Sequence, residues 1–270
     1  MSDIGGVLIH QRRRVVEIVD VFARYGFTQL ASVFGAATGD EPSRIPFHRA
    51  GLRIAGLADP ELVAMSTGER LRAALAELGT TWVKLGQMLS LRADLVGADI
   101  AEALKGLQST VPADAPGLAT ATVETELGHP VAVVFASFSD EPLASGSVAQ
   151  VHAATLHDGT EVVVKVLHHD ADRKVKGDIE LMKVLSRSVE SLDAGLARYN
   201  PVAIVDEFSD LMSGAVDFTD ELASLQQIGA NLAVEPDIVV PQAYPELCTK
   251  RVLTMTRIHG GPVDLSLIHI

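Results

Sequence analysis

A single cysteine, Cys248, stands in the 270 residues, so no internal disulfide can form. That usage predicts a reducing, cytoplasmic setting, with the thiol as a small buried hydrophobe. No stretch approaches the ~18 consecutive apolar residues that a membrane-crossing helix needs. The opening Met1-Ser2-Asp3-Ile4 lacks the basic-then-apolar order of a signal peptide. Positive charge is scarce as well: 22 Lys and Arg against 35 Asp and Glu leave a net charge of −13. This is opposite to the basic footprint of a general nucleic-acid binder, so no nucleic-acid partner is expected. What is present supports a real core. Hydrophobic residues make up 47% and charged residues 21%, at a length that suits one large or two small domains.

Up to about Phe34 the chain reads as helix, with Arg12, Arg13 and Arg14 followed by Val15, Val16, Ile18, Val19 and Phe22. Such a segment either rests on an anionic membrane or packs on its own domain. Between Gly35 and Asp59, glycines and prolines mark a linker carrying a loose basic cluster, Arg44, His48, Arg49 and Arg53. Ser66 and Glu69 form a capping-box pair that opens a helix through Leu71, Leu75, Leu78, Trp82, Leu85 and Leu89. Asp99 and Glu102 repeat the device before a short helix ending near Gln108. Pro112 and Pro116 interrupt the pattern, and a further helix closes at Gly128.

The texture then changes. Phe135 to Phe138 and Val148 to Leu156 read as strands, and Asp158-Gly159 turns the chain into Glu161-Val162-Val163-Val164-Lys165-Val166-Leu167. Helical periodicity returns from Asp172 to Leu192. It resumes at Pro201, capped by Asn200, and runs to about Val234 with a weak point at Gly214. Ile238-Val239-Val240 and Arg251 to Met255 complete a five-stranded antiparallel sheet. The predicted class is α+β: a helical N-terminal extension, then a sheet with inserted helices in the order of a protein-kinase N-lobe.

Phosphoryl-transfer sites of that kind need a flexible loop over the phosphates, a lysine on the third strand, and a helix glutamate that holds the lysine. The loop here is Ala144-Ser145-Gly146-Ser147-Val148, whose small residues let backbone amides approach phosphate oxygens. An Ala/Ser/Gly turn alone is weak evidence; it gains weight between two strands. Lys165 alternates opposite to the apolar face of its strand, where a solvent-facing lysine is the plainer alternative. Glu221 is its candidate partner, sharing a helix face with Asp217 at i, i+4, and a solvated acidic face is the alternative there.

From about residue 60 to 265 the chain resembles the UbiB/ADCK-type family of atypical kinase-like proteins. The resemblance rests on Lys84-Leu85-Gly86-Gln87, on the alanine-and-serine loop 144–147, on Gln150-Val151-His152, and on Lys165. It implies that Lys84 and Gln87 fold over the nucleotide pocket and gate it. It also implies that Asp217 and Glu221 belong to a glutamate-x-aspartate helix, although the motif's glutamate position is Ala215 here. Asp217 is then the remaining carboxylate for Lys84. The run Lys250 to Gly261, with Met255 and Ile258, resembles the fifth strand and hinge that bind adenine.

By the same resemblance, Lys165 and Glu221 form the catalytic pair, and ATP or ADP with Mg²⁺ is the cofactor. The implied function of the whole protein is a kinase-like ATPase supporting isoprenoid-quinone biosynthesis. Its partners would be isoprenoid lipid or quinone-biosynthesis proteins, with peripheral membrane contact. The alternative is a non-catalytic nucleotide-sensing or lipid-handling scaffold. No His-x-Asp catalytic loop or Asp-Phe-Gly occurs; Asp217-Phe218 is followed by Thr219. His168-His169-Asp170 is not read as a metal site, because adjacent side chains on an element end point apart, and no metal ligand is assigned. The expected divisions are 1–60, 61–130, 131–264 as N-lobe without a C-lobe, and 265–270. The last six residues read as a translation of a transposon-end adapter, so the natural sequence is expected to stop near Asp264.

Overall fold

The structure, a computed structural model, describes residues 11–27, 58–108, 111–192, 200–235 and 237–260. The basic cluster from Arg44 to Arg53, the helix expected beyond residue 27 and the tail 265–270 lie outside those residues. Contacts divide the chain into two compact units: Met1–Val111 with Asp170–Ser213, and Pro112–His169 with Gly214–Ile270.

The first unit holds α1 (Arg12–Arg24), α2 (Pro60–Val63), α3 (Thr67–Leu78), α4 (Thr80–Ser90), α5 (Ala93–Val96) and α6 (Ala98–Leu104). The first unit also holds α9 (Ala171–Leu192) and most of α10 (Pro201–Ala215). Helix α1 buries Val15, Ile18, Val19, Val21 and Phe22 within its own unit, with Phe22 edge-on to Trp82 at 5.7 Å. Its apolar stripe is therefore covered by protein. Arg14, on the same helix, grips the buried Asp178 of α9 through Nε and Nη2 at 2.7 and 2.8 Å, and Nη2 also donates to the Leu78 carbonyl at 2.6 Å.

Ser66 and Glu69 form the expected capping box on α3. The single helix expected through Leu89 is two, because Gly79 takes φ 93°, ψ −168°, a backbone state that only glycine adopts freely. The second expected box is absent: Gly97 caps α6, and Asp99 lies inside its first turn without a side-chain cap.

The second unit contains α7 (Leu118–Leu127), α8 (Val131–Val134), β1 (Ser137–Ser145), β2 (Ala149–Thr155), β3 (Glu161–Leu167), α11 (Phe218–Leu232) and β4 (Val252–Thr256). The strands form one antiparallel sheet in the order β1-β2-β3-β4. Four strands, not five, occur among the described residues. Residues 238–240 stay irregular beside Pro241, which has no N–H for a ladder, and pairing is confined to Gln242, Ala243 and Tyr244 alongside β4.

Alternation divides β3 between two faces. Val162, Val164 and Val166 pack with Ala154, Val252, Phe135 and with Ala119 and Val123 of α7. On the other face, Leu167 joins Ala149, Leu253 and Phe218 of α11. Lys165 projects on this second face. Because α11 covers only part of it, the lysine head keeps contact with solvent.

Candidate nucleotide site

Lys165 is paired across the strands with Val151 and Leu253, and Val151 with Ala144, so the start of the candidate loop and the lysine share one cross-strand row. The Lys165 ammonium lies 2.8 and 2.7 Å from the two carboxylate oxygens of Glu221 and 4.7 Å above the Phe218 ring. The structure thus brings together the lysine and glutamate that the sequence paired. With side chains 25% and 43% exposed, such an ion pair contributes only about 0–1 kcal/mol to stability. Its interest lies in where it holds the lysine.

Phe218, which sequence reasoning passed over, is what sets Glu221 in place. It is fully buried, and its N–H donates to the Lys250 carbonyl at 2.9 Å, docking the first turn of α11 against the strand edge. Asp217 is not on the helix face beside Glu221, as expected, but is the N-cap of α11. It accepts from the Thr219 N–H at 3.0 Å and hydroxyl at 2.6 Å and pairs with Lys250 at 3.0 Å. The Thr219 hydroxyl bond, with Lys250 behind it, holds the Asp217 carboxyl below its ordinary range.

Ala144 and Ser145, expected in the loop, are instead the last residues of β1, paired with Val151 and Gln150, and only residues 146–148 link β1 to β2. The Gly146 N–H donates to the Ala149 carbonyl at 2.8 Å, and the Val148 carbonyl accepts from the His168 N–H at 2.9 Å. Among the described residues the backbone N–H groups of Ser147 and Val148 donate to nothing, and the Ser145 hydroxyl is buried without a partner. Unused donors at the end of the strand pair that carries a lysine are what a phosphate requires, so these residues fit a nucleotide's phosphates. Met255 sits on β4 against Val163, partly buried, and Ile258 follows the strand with 48% exposure.

Gln150 and His152 face the opposite side, into the core. Gln150 Oε1 accepts from the Asp114 N–H at 2.9 Å. His152 Nδ1 donates to the Ser139 carbonyl at 2.8 Å, its ring stacks on Phe138 at 5.2 Å, and its Nε2 has no partner among the described residues. Burial pushes the His152 imidazole below its ordinary value. The folded state therefore binds fewer protons than the unfolded chain, whose histidine titrates near ~6.5. Stability from this group is present above that pH and is lost as pH falls through the lowered folded value. Urea midpoints should drop between pH 7.5 and 5 in the native chain, and less steeply in His152→Gln.

In the helical unit, Gly86 and Gln87 serve packing. A Cβ at Gly86 would collide with Leu107 and lie 2.8 Å from Leu75, and Gln87 Nε2 donates to the Leu107 carbonyl at 3.1 Å. Lys84 is half-buried, and no described residue pairs with its ammonium. Gly86→Val is expected to destabilise by about 1–3 kcal/mol through overpacking. An unchanged urea midpoint would show that the helices part freely there.

Residues 106–269 match the ABC1 atypical kinase-like domain. The chain belongs to that family. This ABC1 atypical kinase-like protein is 40% identical over 257 residues to the probable protein kinase UbiB of Cellvibrio japonicus, covering 95% of this chain and 45% of that protein. To the probable protein kinase UbiB of Pseudomonas paraeruginosa it is 37% identical, over 93% and 46% of the two chains. To that of Pseudomonas aeruginosa it is 42% identical over 199 residues, 74% of this chain and 37% of the other. The chain spans about half the length of these curated relatives, or less. Among solved structures, the complex of Rv3197 with erythromycin from Mycobacterium tuberculosis matches with a TM-score of 0.51 and 27% identity, over 69% of this chain and 46% of that one. The helical extension followed by a kinase-like N-lobe is thus the arrangement of the ABC1 chain. The domain match contains the loop, Lys165, Glu221, Met255 and Ile258, and begins after Lys84, Gly86 and Gln87. No described helix is long and apolar enough to cross a membrane.

Proposed function

We propose that this chain carries the phosphate-binding part of an atypical kinase-like ATPase that supports ubiquinone or another isoprenoid-quinone biosynthesis. The observation that carries the reading is the Lys165–Glu221 pair, set on the sheet face that also begins the loop 144–148. Lys165 would donate to α- and β-phosphate oxygens of ATP or ADP and offset their charge, while Glu221 fixes its position. Ser145, Ser147 and the free amides of the loop would cover the phosphates, and the backbone around Met255 and Ile258 would take the adenine. Mg²⁺ would accompany the nucleotide and neutralise phosphate charge; among the described residues no three His, Cys, Asp or Glu side chains gather to hold it. Lys84 and Gln87 would gate the pocket, the Lys84 ammonium, which no described residue pairs, taking an anion there: the Asp217 carboxylate or a phosphate. The name shared by the relatives supports the quinone link.

With no Asp-Phe-Gly in its 270 residues, and its one His-x-Asp, His168-His169-Asp170, lying between β3 and α9 and not in a catalytic loop, the chain by itself is expected to bind nucleotide weakly and hydrolyse none. In a bacterium deprived of its own relative, the full-length protein should restore ubiquinone and its Lys165→Ala variant should not. Restoration by the variant would defeat the reading. So would ATP hydrolysis by the purified 270-residue chain that survives Lys165→Ala.

A second reading, a lipid-handling scaffold, draws on an open groove of about 710 Å³ lined by Leu225, Leu232, Ile238, Val239 and Val240 together with Gln226, Glu235 and Gln242. Under it, the Lys165→Ala protein would still restore quinone, whereas a charge placed at Val239 would not.

A further inference from the structure

The residue that follows β3 grips the candidate phosphate loop from behind. His168 is 7% exposed, and both of its ring nitrogens face acceptors. Nδ1 lies 3.1 Å from Asp114 Oδ1, and Nε2 lies 3.1 Å from the Gly146 carbonyl oxygen. Its own N–H donates to the Val148 carbonyl at 2.9 Å. One residue therefore holds the loop at both ends, through its ring and through its backbone.

The carboxylate behind it is fixed in turn. Asp114 Oδ2 accepts the His169 N–H at 2.9 Å, and the Asp114 N–H donates to the buried Gln150 at 2.9 Å. Arg251 Nη2 ties the next residue down by donating to the His169 carbonyl at 3.0 Å.

The grip on Gly146 has a directional consequence. In a planar trans peptide the carbonyl and the following N–H point in opposite directions. Holding the Gly146 carbonyl toward His168 therefore turns the Ser147 N–H away from it, one of the two loop amides without a partner among the described residues. A ring protonated at both nitrogens donates to both acceptors, and either single tautomer keeps one of the two bonds.

We infer that His168, oriented by Asp114, is a positioning residue that fixes the 146–148 loop and aims the Ser147 amide at a bound phosphate group. The phosphate part rests on the nucleotide reading above; the loop-fixing part does not. Neither residue touches the nucleotide in this account. Both act through the loop backbone.

The test uses His168→Phe, which fills the space without donors, and Asp114→Asn as a milder second variant should the first fold poorly. Amide hydrogen exchange of the 270-residue chain without nucleotide is read at Gly146 and at residue 168, with Val164 in mid-strand as reference. Loss of the ring's hydrogen bonds should speed exchange at the loop amides about tenfold and leave Val164 unchanged.

In the full-length protein, affinity for ADP should fall by a similar factor while affinity for adenosine, which has no phosphate, stays the same. Unchanged loop exchange in both variants would overturn the inference and leave the nucleotide reading standing. Equal weakening of ADP and adenosine would reduce His168 to a general structural role and overturn it too. Full-length wild-type protein that binds no nucleotide would overturn the nucleotide reading and, with it, the phosphate role.

Discussion

Truncating Phe218 to alanine is expected to cost about 3–5 kcal/mol of stability, the usual range for emptying a fully buried aromatic site. Phe218 packs with Ala149, Leu167 and Leu253 on the sheet face that bears Lys165 and carries the ammonium above its ring. Removing the ring frees the first turn of α11, so Glu221 should lose its register with Lys165 even where the chain stays folded. Urea unfolding of Phe218→Ala measures the first effect. Phe218→Leu, expected to cost less than about 1.5 kcal/mol, isolates the second without a large cavity. A Phe218→Ala protein within about 0.5 kcal/mol of the native chain would mean that α11 is held elsewhere.

Arg14→Leu should cost roughly 3 kcal/mol, because it strands a buried carboxylate. Asp178 is 5% exposed in its side chain and takes its charge partner solely from Arg14 among the described ion pairs, at 2.7 Å. Arg14 also satisfies the Leu78 carbonyl at the end of α3. The loss therefore combines an unpaired charge with an unpaired backbone acceptor. The double variant Arg14→Leu with Asp178→Leu should recover a large part of the stability, since apolar replacements of a whole buried pair are often neutral. If it recovers none, Arg14 acts through packing of its stem and not through the charge.

Much of the candidate site was legible because strand alternation is strict. A lysine between Val164 and Val166 has to face away from the core of that strand, and an Asp-Gly turn pins the hairpin that carries it. Glu221 was reachable for the same kind of reason, since the period of α11 from Leu222 onward is regular. The helix breaks were not legible. Apolar spacing continues unbroken across Gly79, and nothing local says that this glycine takes a positive φ instead of tolerating helix.

Asp217 was read as a helical residue because the pattern of α10 runs into that of α11. Its capping role shows only in its bond to the Thr219 N–H. Phe218 looked like any other helix aromatic, and its docking depends on Lys250, distant in sequence. His168 was weighed as a metal ligand and set aside, while its contact with Gly146 depends on strand pairing that brings the ends of β1 and β3 to the same edge of β2. The fifth strand failed at Pro241, where a β-rich run lacks the donor that pairing needs.

The central claim is that Lys165 is a phosphate ligand and not merely one half of a surface ion pair. Equilibrium titration of the full-length protein with Mg²⁺ and ADP, native beside Lys165→Ala, tests it most directly. A charge-assisted bond to phosphate is worth about 1.5–3 kcal/mol, so affinity should fall roughly 10–100-fold, while the urea midpoint of the variant moves by less than about 1 kcal/mol equivalent. Equal ADP affinity in the two proteins would contradict the account.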